Sequence, residues 1–176
     1  VPSTPIELGG YFADYPNSKF AEDVDVTADG IVFVAAGSGG FKIVDLSDPA
    51  QFIELASRNT AARAVHAWGN VVFLAGANGL RTYDVSVLDA PEELSRLHSA
   101  GFARGLAVVD NRVYVADLVG GMKIVDVSSP DNPVALGSIN GFSPEEVDVV
   151  GDFAYAVSIR PENCWCSLSV LDIVDV

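Results

Sequence analysis

Charged side chains recur at a fixed spacing in this chain, and their types could support ion binding or acid–base chemistry. Positions 41 residues apart carry Glu22, Arg63, Arg104 and Glu145. A second set, three residues further on, consists of Asp25, His66, Ala107 and Asp148. If the residues of these sets come together in the fold, they surround the entrance to a channel. The acids would form an anionic half of that entrance and the arginines a cationic half. Ion pairing across that entrance is the simplest expectation.

Carboxylates are concentrated around the first and last of these positions, which suggests a hard cation as a ligand. Calcium binds through several oxygen atoms, many of them from carboxylates. Six acids could supply these atoms: Glu22, Asp23, Asp25, Glu145, Glu146 and Asp148. The sequence contains no calcium loop of the DxDxDG type. Calcium is therefore a hypothesis for this cluster, and no other cofactor is predicted.

The same residue types would also serve a hydrolase or a lyase. Glu22, Glu145 or His66 would act as acid or base, and Arg63 or Arg104 would hold an anionic group. The chain has no GxSxG elbow, no HExxH motif and no glycine-rich phosphate loop. An enzyme is therefore the alternative interpretation, and a protein without catalytic activity is the preferred one.

Two long segments outside the regular pattern are further candidates for ligand contact. The entry segment 11–20 contains Tyr15, and an insertion near the end of the chain contains Arg160 and Trp165. Long loops on a rigid scaffold often carry binding residues. Together with Arg63 and Arg104, these side chains are predicted to contact a partner protein or a carbohydrate.

Two cysteines, Cys164 and Cys166, flank Trp165 in the insertion. With no other cysteine and only two histidines in the chain, this pair does not suggest a zinc site. A strained local disulfide, two free thiols and a crosslink between chains are the alternatives. In an extracellular protein, an oxidised pair is favoured.

The spacing of the charged residues belongs to a repeat that predicts the fold. The phrases FKIVDLSDP, LRTYDVSVL, MKIVDVSSP and SLSVLDIVD each contain an equivalent aspartate: Asp45, Asp84, Asp126 and Asp172. An aromatic residue precedes each phrase: Phe33, Phe73, Tyr114 and Tyr155. We expect the aspartates to tie turns, through backbone groups or the hydroxyls of neighbouring serines, and the aromatics to fill the core between repeats.

Each repeat contains four short runs of alternating apolar residues, separated by small and turn-forming residues. For the first three repeats, strands are predicted at 22–27, 31–36, 40–46, 52–58, 63–68, 71–75, 79–85, 92–98, 104–109, 112–117, 121–127 and 134–140. Four strands in a repeat of this length are typical of one blade of a β-propeller. The sequence therefore predicts an all-β propeller of four-stranded antiparallel blades, as one domain covering 1–176.

The ends of the chain are predicted to complete each other. Blades are expected at about 21–58, 62–98, 103–140 and 144–176, and the last stops after its third strand. The N-terminal TPIELGGYF matches NPVALGSIN of the third repeat, so segment 5–12 is predicted to add the missing strand and close the ring. Closure within one chain, exchange into a larger ring and open-ended filaments are the alternatives.

The phrases GGFKIVDLSDP and GGMKIVDVSSPDNP, each after an aromatic-Val-Ala stretch, resemble the LVIVD-repeat family of bacterial and archaeal β-propellers. The resemblance covers nearly the whole chain. It implies a secreted or cell-surface propeller without a shared catalytic set. The second repeat departs from the pattern, with Leu88 where the first and third have Pro49 and Pro130, and the fourth carries the insertion.

Composition narrows the choice of partners. A net charge of −14, with three lysines, argues against binding to nucleic acid or to an anionic membrane surface. Apolar stretches are far shorter than the ~20 residues of a membrane-spanning helix. The chain begins at Val1 without a leader, so we expect a processed product or a piece of something longer. The predicted function is a non-enzymatic interaction or structural module, capable of self-assembly through its chain ends.

Overall fold

The computed structural model describes residues 21–99, 101–160 and 165–174 of the chain. They form fifteen β-strands and one short 3-10 helix, Leu118–Gly120. Blade 1 contains β1 (Asp23–Val26), β2 (Ile31–Ala35), β3 (Phe41–Asp45) and β4 (Ile53–Arg58). Blade 2 contains β5 (Ala64–Trp68), β6 (Val71–Gly76), β7 (Gly79–Asp84) and β8 (Glu92–Leu97).

The third and fourth blades follow the same order. Blade 3 contains β9 (Gly105–Val109), β10 (Arg112–Ala116), β11 (Met122–Asp126) and β12 (Val134–Ile139). Blade 4 contains β13 (Pro144–Val150), β14 (Phe153–Arg160) and β15 (Trp165–Asp172). Each blade is an antiparallel meander in chain order. The strands of blades 1 to 3 begin and end within one residue of the predicted positions, and the β-propeller fold is confirmed.

The repeated aspartates close the turn after the third strand of each blade. Their Oδ1 atoms accept hydrogen bonds from the backbone N–H groups two residues later: Asp45 from Ser47, Asp84 from Ser86, Asp126 from Ser128 and Asp172 from Val174. The pKa values of Asp45, Asp84 and Asp126 are lowered from the usual value. The main cause is the hydrogen bond from the serine backbone N–H, and the bond from the serine side chain adds to it. The aspartates are therefore part of the scaffold, as expected.

The hydrophobic core lies between consecutive blades. Phe33, Phe73 and Tyr114 are buried, each in an apolar cluster that joins its own blade to the next. Alternation along a strand produces this arrangement, because successive side chains face opposite neighbours. The prediction fails in part for the fourth aromatic residue: Tyr155 is only partly buried, because no described blade packs on its face of blade 4 as the next blade does on the other three.

Blade 4 contains three strands within the described residues, and β15 is the edge of its sheet. The segment predicted to add a fourth strand, 5–12, lies outside the described residues, so ring closure by that segment stays a prediction. No helix within the described ranges is long and apolar enough to cross a membrane.

Candidate functional site at the channel mouth

The charged positions found in the sequence meet at one end of the central channel. The residues just before β1, β5 and β9 are equivalent, since the backbone N–H groups of Glu22, Arg63 and Arg104 donate to the carbonyls of equivalent alanines on the second strands. Glu145 occupies the fourth position, but there the register of β13 against β14 shifts between Pro144 and Glu146. This β-bulge re-aims the side chains around it.

The mouth is organised by two ion pairs between neighbouring blades. Arg63 Nη1 lies 2.6 Å from Glu22 Oε2, which joins blade 2 to blade 1. Arg104 Nη1 lies 3.0 Å from Glu145 Oε2, which joins blade 3 to blade 4. All four side chains are partly exposed, so each pair contributes at most about 1 kcal/mol to stability. The expected ion pairing is therefore observed, and it neutralises both arginines.

A cavity of about 330 Å³ opens between these side chains. Its charged lining residues are Glu22, Asp23, Arg63, Arg104, Glu145 and Glu146. Val157 of β14 also lines the cavity, and it was not predicted as a site residue. The equivalent positions in the other blades hold the smaller Ala35, Ala75 and Ala116, so the larger side chain in blade 4 was the available signal. Four carboxylates face two arginines, so the described wall of the mouth is acidic overall.

Two other cavities, of about 390 and 370 Å³, lie beside the turn aspartates Asp126 and Asp84. They occupy equivalent places in blades 3 and 2, between the same turns and an outer-strand leucine, Leu136 or Leu94. We attribute them to the regular blade geometry. The mouth differs because it joins side chains from all four blades and does not recur.

The acids of β1 bind the backbone of the next blade. Asp23 Oδ2 accepts from the N–H of Val65 at 2.9 Å, and Asp25 Oδ2 accepts from the N–H of Ala67 at 2.8 Å. Their Oδ1 atoms accept from the following residues of β1. Both carboxylates therefore serve as ties between blades 1 and 2.

Glu146 is an acid of the mouth whose pKa is raised by its surroundings. Burial raises the pKa of its carboxyl, and the negative charges of Asp23 and Asp148 raise it further. The hydrogen bond from the N–H of Val147 lowers the pKa and offsets part of this effect. The side chain lies against Gly105 of β9, where a Cβ atom would come within 2.6 Å of Glu146 Oε1. The absence of a side chain at Gly105 is what lets the carboxylate enter the gap between blades 3 and 4.

The calcium hypothesis is not supported by this geometry. Among the described residues, no three His, Cys, Asp or Glu side chains are placed to hold a metal ion. Glu22 and Glu145 are paired with arginines, and Asp23 and Asp25 accept backbone hydrogen bonds. Their oxygen atoms are used for contacts between blades, because the inner strands are close enough for direct bonding.

Of the three acid–base candidates of the enzyme hypothesis, two line the mouth and one does not. His66 lies on β5 with its Nδ1 atom 3.7 Å from Asp25 Oδ2, and it does not line the mouth cavity. Glu22 and Glu145, the other candidates, are held in the two ion pairs. The structure brings the two glutamates and the two arginines together, and leaves the histidine deeper in the channel.

The remaining candidates lie at the far ends of β14 and β15 or beyond the described ranges. Arg160 and Trp165 are opposite each other in the register of these strands. Cys166 is exposed, and it forms no disulfide with another described residue. Tyr15 and Cys164 lie outside the described residues, so the ligand contacts of the long segments and the local disulfide stay predictions.

Comparison with known proteins agrees with the repeat analysis. Residues 21–60 and 100–141, which contain blades 1 and 3, match the family described as the LVIVD repeat. Two of the chain's four blades carry the LVIVD repeat. The matched ranges include the FKIVD and MKIVD strands and their turn aspartates, so the resemblance drawn from those phrases is confirmed. No curated protein matches the chain.

Solved structures resemble this LVIVD-repeat chain in fold, at low sequence identity. The computationally designed Ika4 protein is 15% identical with a TM-score of 0.67, and the match covers 94% of this chain and 99% of Ika4. The designed Ika8 protein also has 15% identity and a TM-score of 0.67, over 88% of this chain and 46% of Ika8. For the N-terminal domain of Nup159 the identity is 13% and the TM-score 0.59, over 86% and 44%. The chain thus spans less than half of the last two.

Proposed function

We propose that this LVIVD-repeat propeller is a non-catalytic interaction module, secreted or at the cell surface, that binds a partner at the channel mouth. The observation that carries the proposal is the pairing of both arginines with Glu22 and Glu145, which leaves the described wall of the concave mouth acidic. An acidic concave surface favours a positively charged partner.

A protein with exposed lysine or arginine is the partner that fits this surface best. The whole chain has a net charge of −14, which adds long-range attraction for cations and speeds their encounter with the mouth. Val157 adds an apolar wall against which the stem of such a side chain can pack. A carbohydrate ligand would depend instead on Tyr15 and Trp165, and is the alternative partner.

Secretion or display on the cell surface is supported by the LVIVD repeat and by the acidic composition. Assembly through the chain ends is a separate part of the proposal. It rests on the match of segment 5–12 to the outer strand of blade 3 and on the free edge of β15 among the described strands.

Binding of a fluorescent oligolysine peptide, followed by anisotropy at low and moderate salt, tests the mouth. The double variant Glu145→Gln/Glu146→Gln removes two charges from it and should weaken binding at least about tenfold. The matched variant Asp89→Asn/Glu92→Gln removes two exposed charges from blade 2 and should leave affinity within about twofold. Equal losses in both variants would reject the mouth as the binding site.

The absence of catalysis is tested separately with ester and glycoside substrates. The wild-type protein should show no turnover above buffer, and His66→Gln should bind the peptide like the wild type. Turnover that His66→Gln or Glu145→Gln abolishes would establish the hydrolase or lyase alternative instead.

A further inference from the structure

The repeat provides an internal control for burial, because the same strand positions can be compared in every blade. The outward face of a blade is the face that packs on the next blade along the chain, and its third strand contributes two main positions. In blades 1 to 3 these positions are all buried and hold Phe41, Ile43, Leu80, Thr82, Met122 and Ile124.

Blade 4 exposes the same positions. Leu168 and Val170 of β15 are 65% and 56% exposed, and Phe153 and Val157 of β14 are also exposed. The outward face of blade 4 is thus as apolar as the surfaces between blades. It is exposed, whereas the outward faces of blades 1 to 3 are buried. Exposed apolar surface of this kind is unfavourable in water and marks an interaction site.

The opposite end of the chain carries a matching surface on β1. Val24 is 60% exposed, whereas its equivalents Val65, Leu106 and Val147 are buried against the preceding blade. Val26 is exposed to the same extent. Val32 and Val44, on the outer part of this face, are buried, so the free part is the inner strand.

Among the described residues these two surfaces are not packed together, although residues of both line the mouth cavity. The described strands of consecutive blades pack closely, as β1 does with β5 and β9 with β13, but those of blade 4 do not pack in this way against those of blade 1. Since the chain builds the same outward-to-inward contact three times, β1 offers the inner-strand part of the surface on which the outward face of blade 4 would pack.

We propose that a second copy of this chain covers these surfaces, so that the outward face of blade 4 in each copy packs against β1 of the other and two copies form one ring. The chain matches Ika4 over nearly its whole length and less than half of Ika8 with the same TM-score, so its blade arrangement fits a structure about twice its length equally well. The dimer uses a blade face instead of strand pairing by segment 5–12, so it goes beyond the assembly in the proposed function, and it does not depend on a ligand at the mouth.

Light scattering after gel filtration and native mass spectrometry of the full chain test the proposal. The wild type should have twice the 18.5 kDa chain mass, and added salt should strengthen the dimer by screening its like charges. Leu168→Asp and Val170→Asp should each weaken dimerisation at least about tenfold. Their melting temperatures at monomer concentrations should stay close to that of the monomeric wild type, because both side chains are exposed within the chain; Leu168→Ser replaces Leu168→Asp if that variant fails to fold.

Mixing experiments determine which surfaces meet. Val24→Asp alone should also dissociate the dimer, and a mixture of Val24→Asp with Val170→Asp should recover mixed dimers, since one of the two interfaces then has both native sides. Val119→Asp, in the exposed 3-10 helix of blade 3, is the control and should leave the mass unchanged. A monomeric wild type would overturn the proposal, and so would a dimer that Val24→Asp leaves intact, which would indicate contact between two blade 4 faces.

Discussion

Asp25 Oδ2 accepts a hydrogen bond of 2.8 Å from the backbone N–H of Ala67, and this bond joins the inner strands of blades 1 and 2. The acceptor is a carboxylate and the donor belongs to the next repeat, 42 residues along the chain. Asp23 makes the same kind of bond to Val65. Two alternate side chains of one strand thus tie the backbone of its neighbour.

Asp25→Ala should reduce the free energy of unfolding by about 1–2 kcal/mol, because the N–H of Ala67 loses its acceptor in a partly buried place. Urea unfolding followed by circular dichroism measures the change. Asp148→Ala is the matched control, because Asp148 occupies the equivalent position in blade 4 and, among the described residues, accepts a hydrogen bond from Val149 of its own strand and none from another blade. Equal losses in the two variants would contradict an energetic role for the inter-blade bond.

Gly105→Ala should destabilise the propeller by about 1–3 kcal/mol. A Cβ atom there would lie 2.8 Å from the backbone oxygen of Glu145 and the Cα of Glu146, so blades 3 and 4 would have to move apart. Thermal unfolding measures the loss. Gly69→Asn is the control, since its site has open space and asparagine tolerates its positive φ of 59°. An unchanged melting temperature for Gly105→Ala would show that the gap between the blades can widen freely.

Thr82→Val should lower the free energy of unfolding by about 1 kcal/mol, because valine keeps the shape of the side chain but removes its hydroxyl. The buried Thr82 Oγ1 donates to the carbonyl of Pro130 at 2.6 Å, which connects β7 to the turn after the third strand of blade 3. Chemical denaturation compares Thr82→Val with Thr82→Ser, which keeps the hydroxyl and loses the methyl. If the valine variant is as stable as the wild type, the bond makes no net contribution.

Stability should fall in acid partly through the turn aspartates. The pKa values of Asp45, Asp84 and Asp126 are lower in the folded state than in the unfolded chain. Their contribution to folding stability is therefore complete above the unfolded pKa of about 3.9, and it is lost as the pH falls through the lower folded values. The triple asparagine variant keeps the turns but cannot titrate there. Its melting temperature should therefore depend less steeply on pH below about pH 4.

Differential scanning calorimetry from neutral to acidic pH compares the triple variant with the wild type. Asp89→Asn, at an exposed site outside these turns, should follow the wild-type curve. Parallel curves for the wild type and the triple variant would show that other groups account for the acid sensitivity.

Much of the fold could be predicted because strand alternation and the repeat spacing are local properties of the chain. The same logic placed Glu22, Arg63 and Arg104 at equivalent positions of the channel, since residues one period apart occupy the same place in successive blades. The bulge at Glu145 could not be predicted, because a register shift depends on how two strands pair and not on either one alone.

The blades, their strands, the turn aspartates and the residues that face the channel follow from the order of residues alone, because the two-residue period of a strand and the 41-residue spacing are local to the chain. Three features required the folded molecule: the acid that each arginine meets, the binding of Asp23 and Asp25 to the next blade, and the exposure of Leu168 and Val170 on blade 4. These contacts cross between sheets, so they depend on the distance and rotation between blades, which no single repeat specifies.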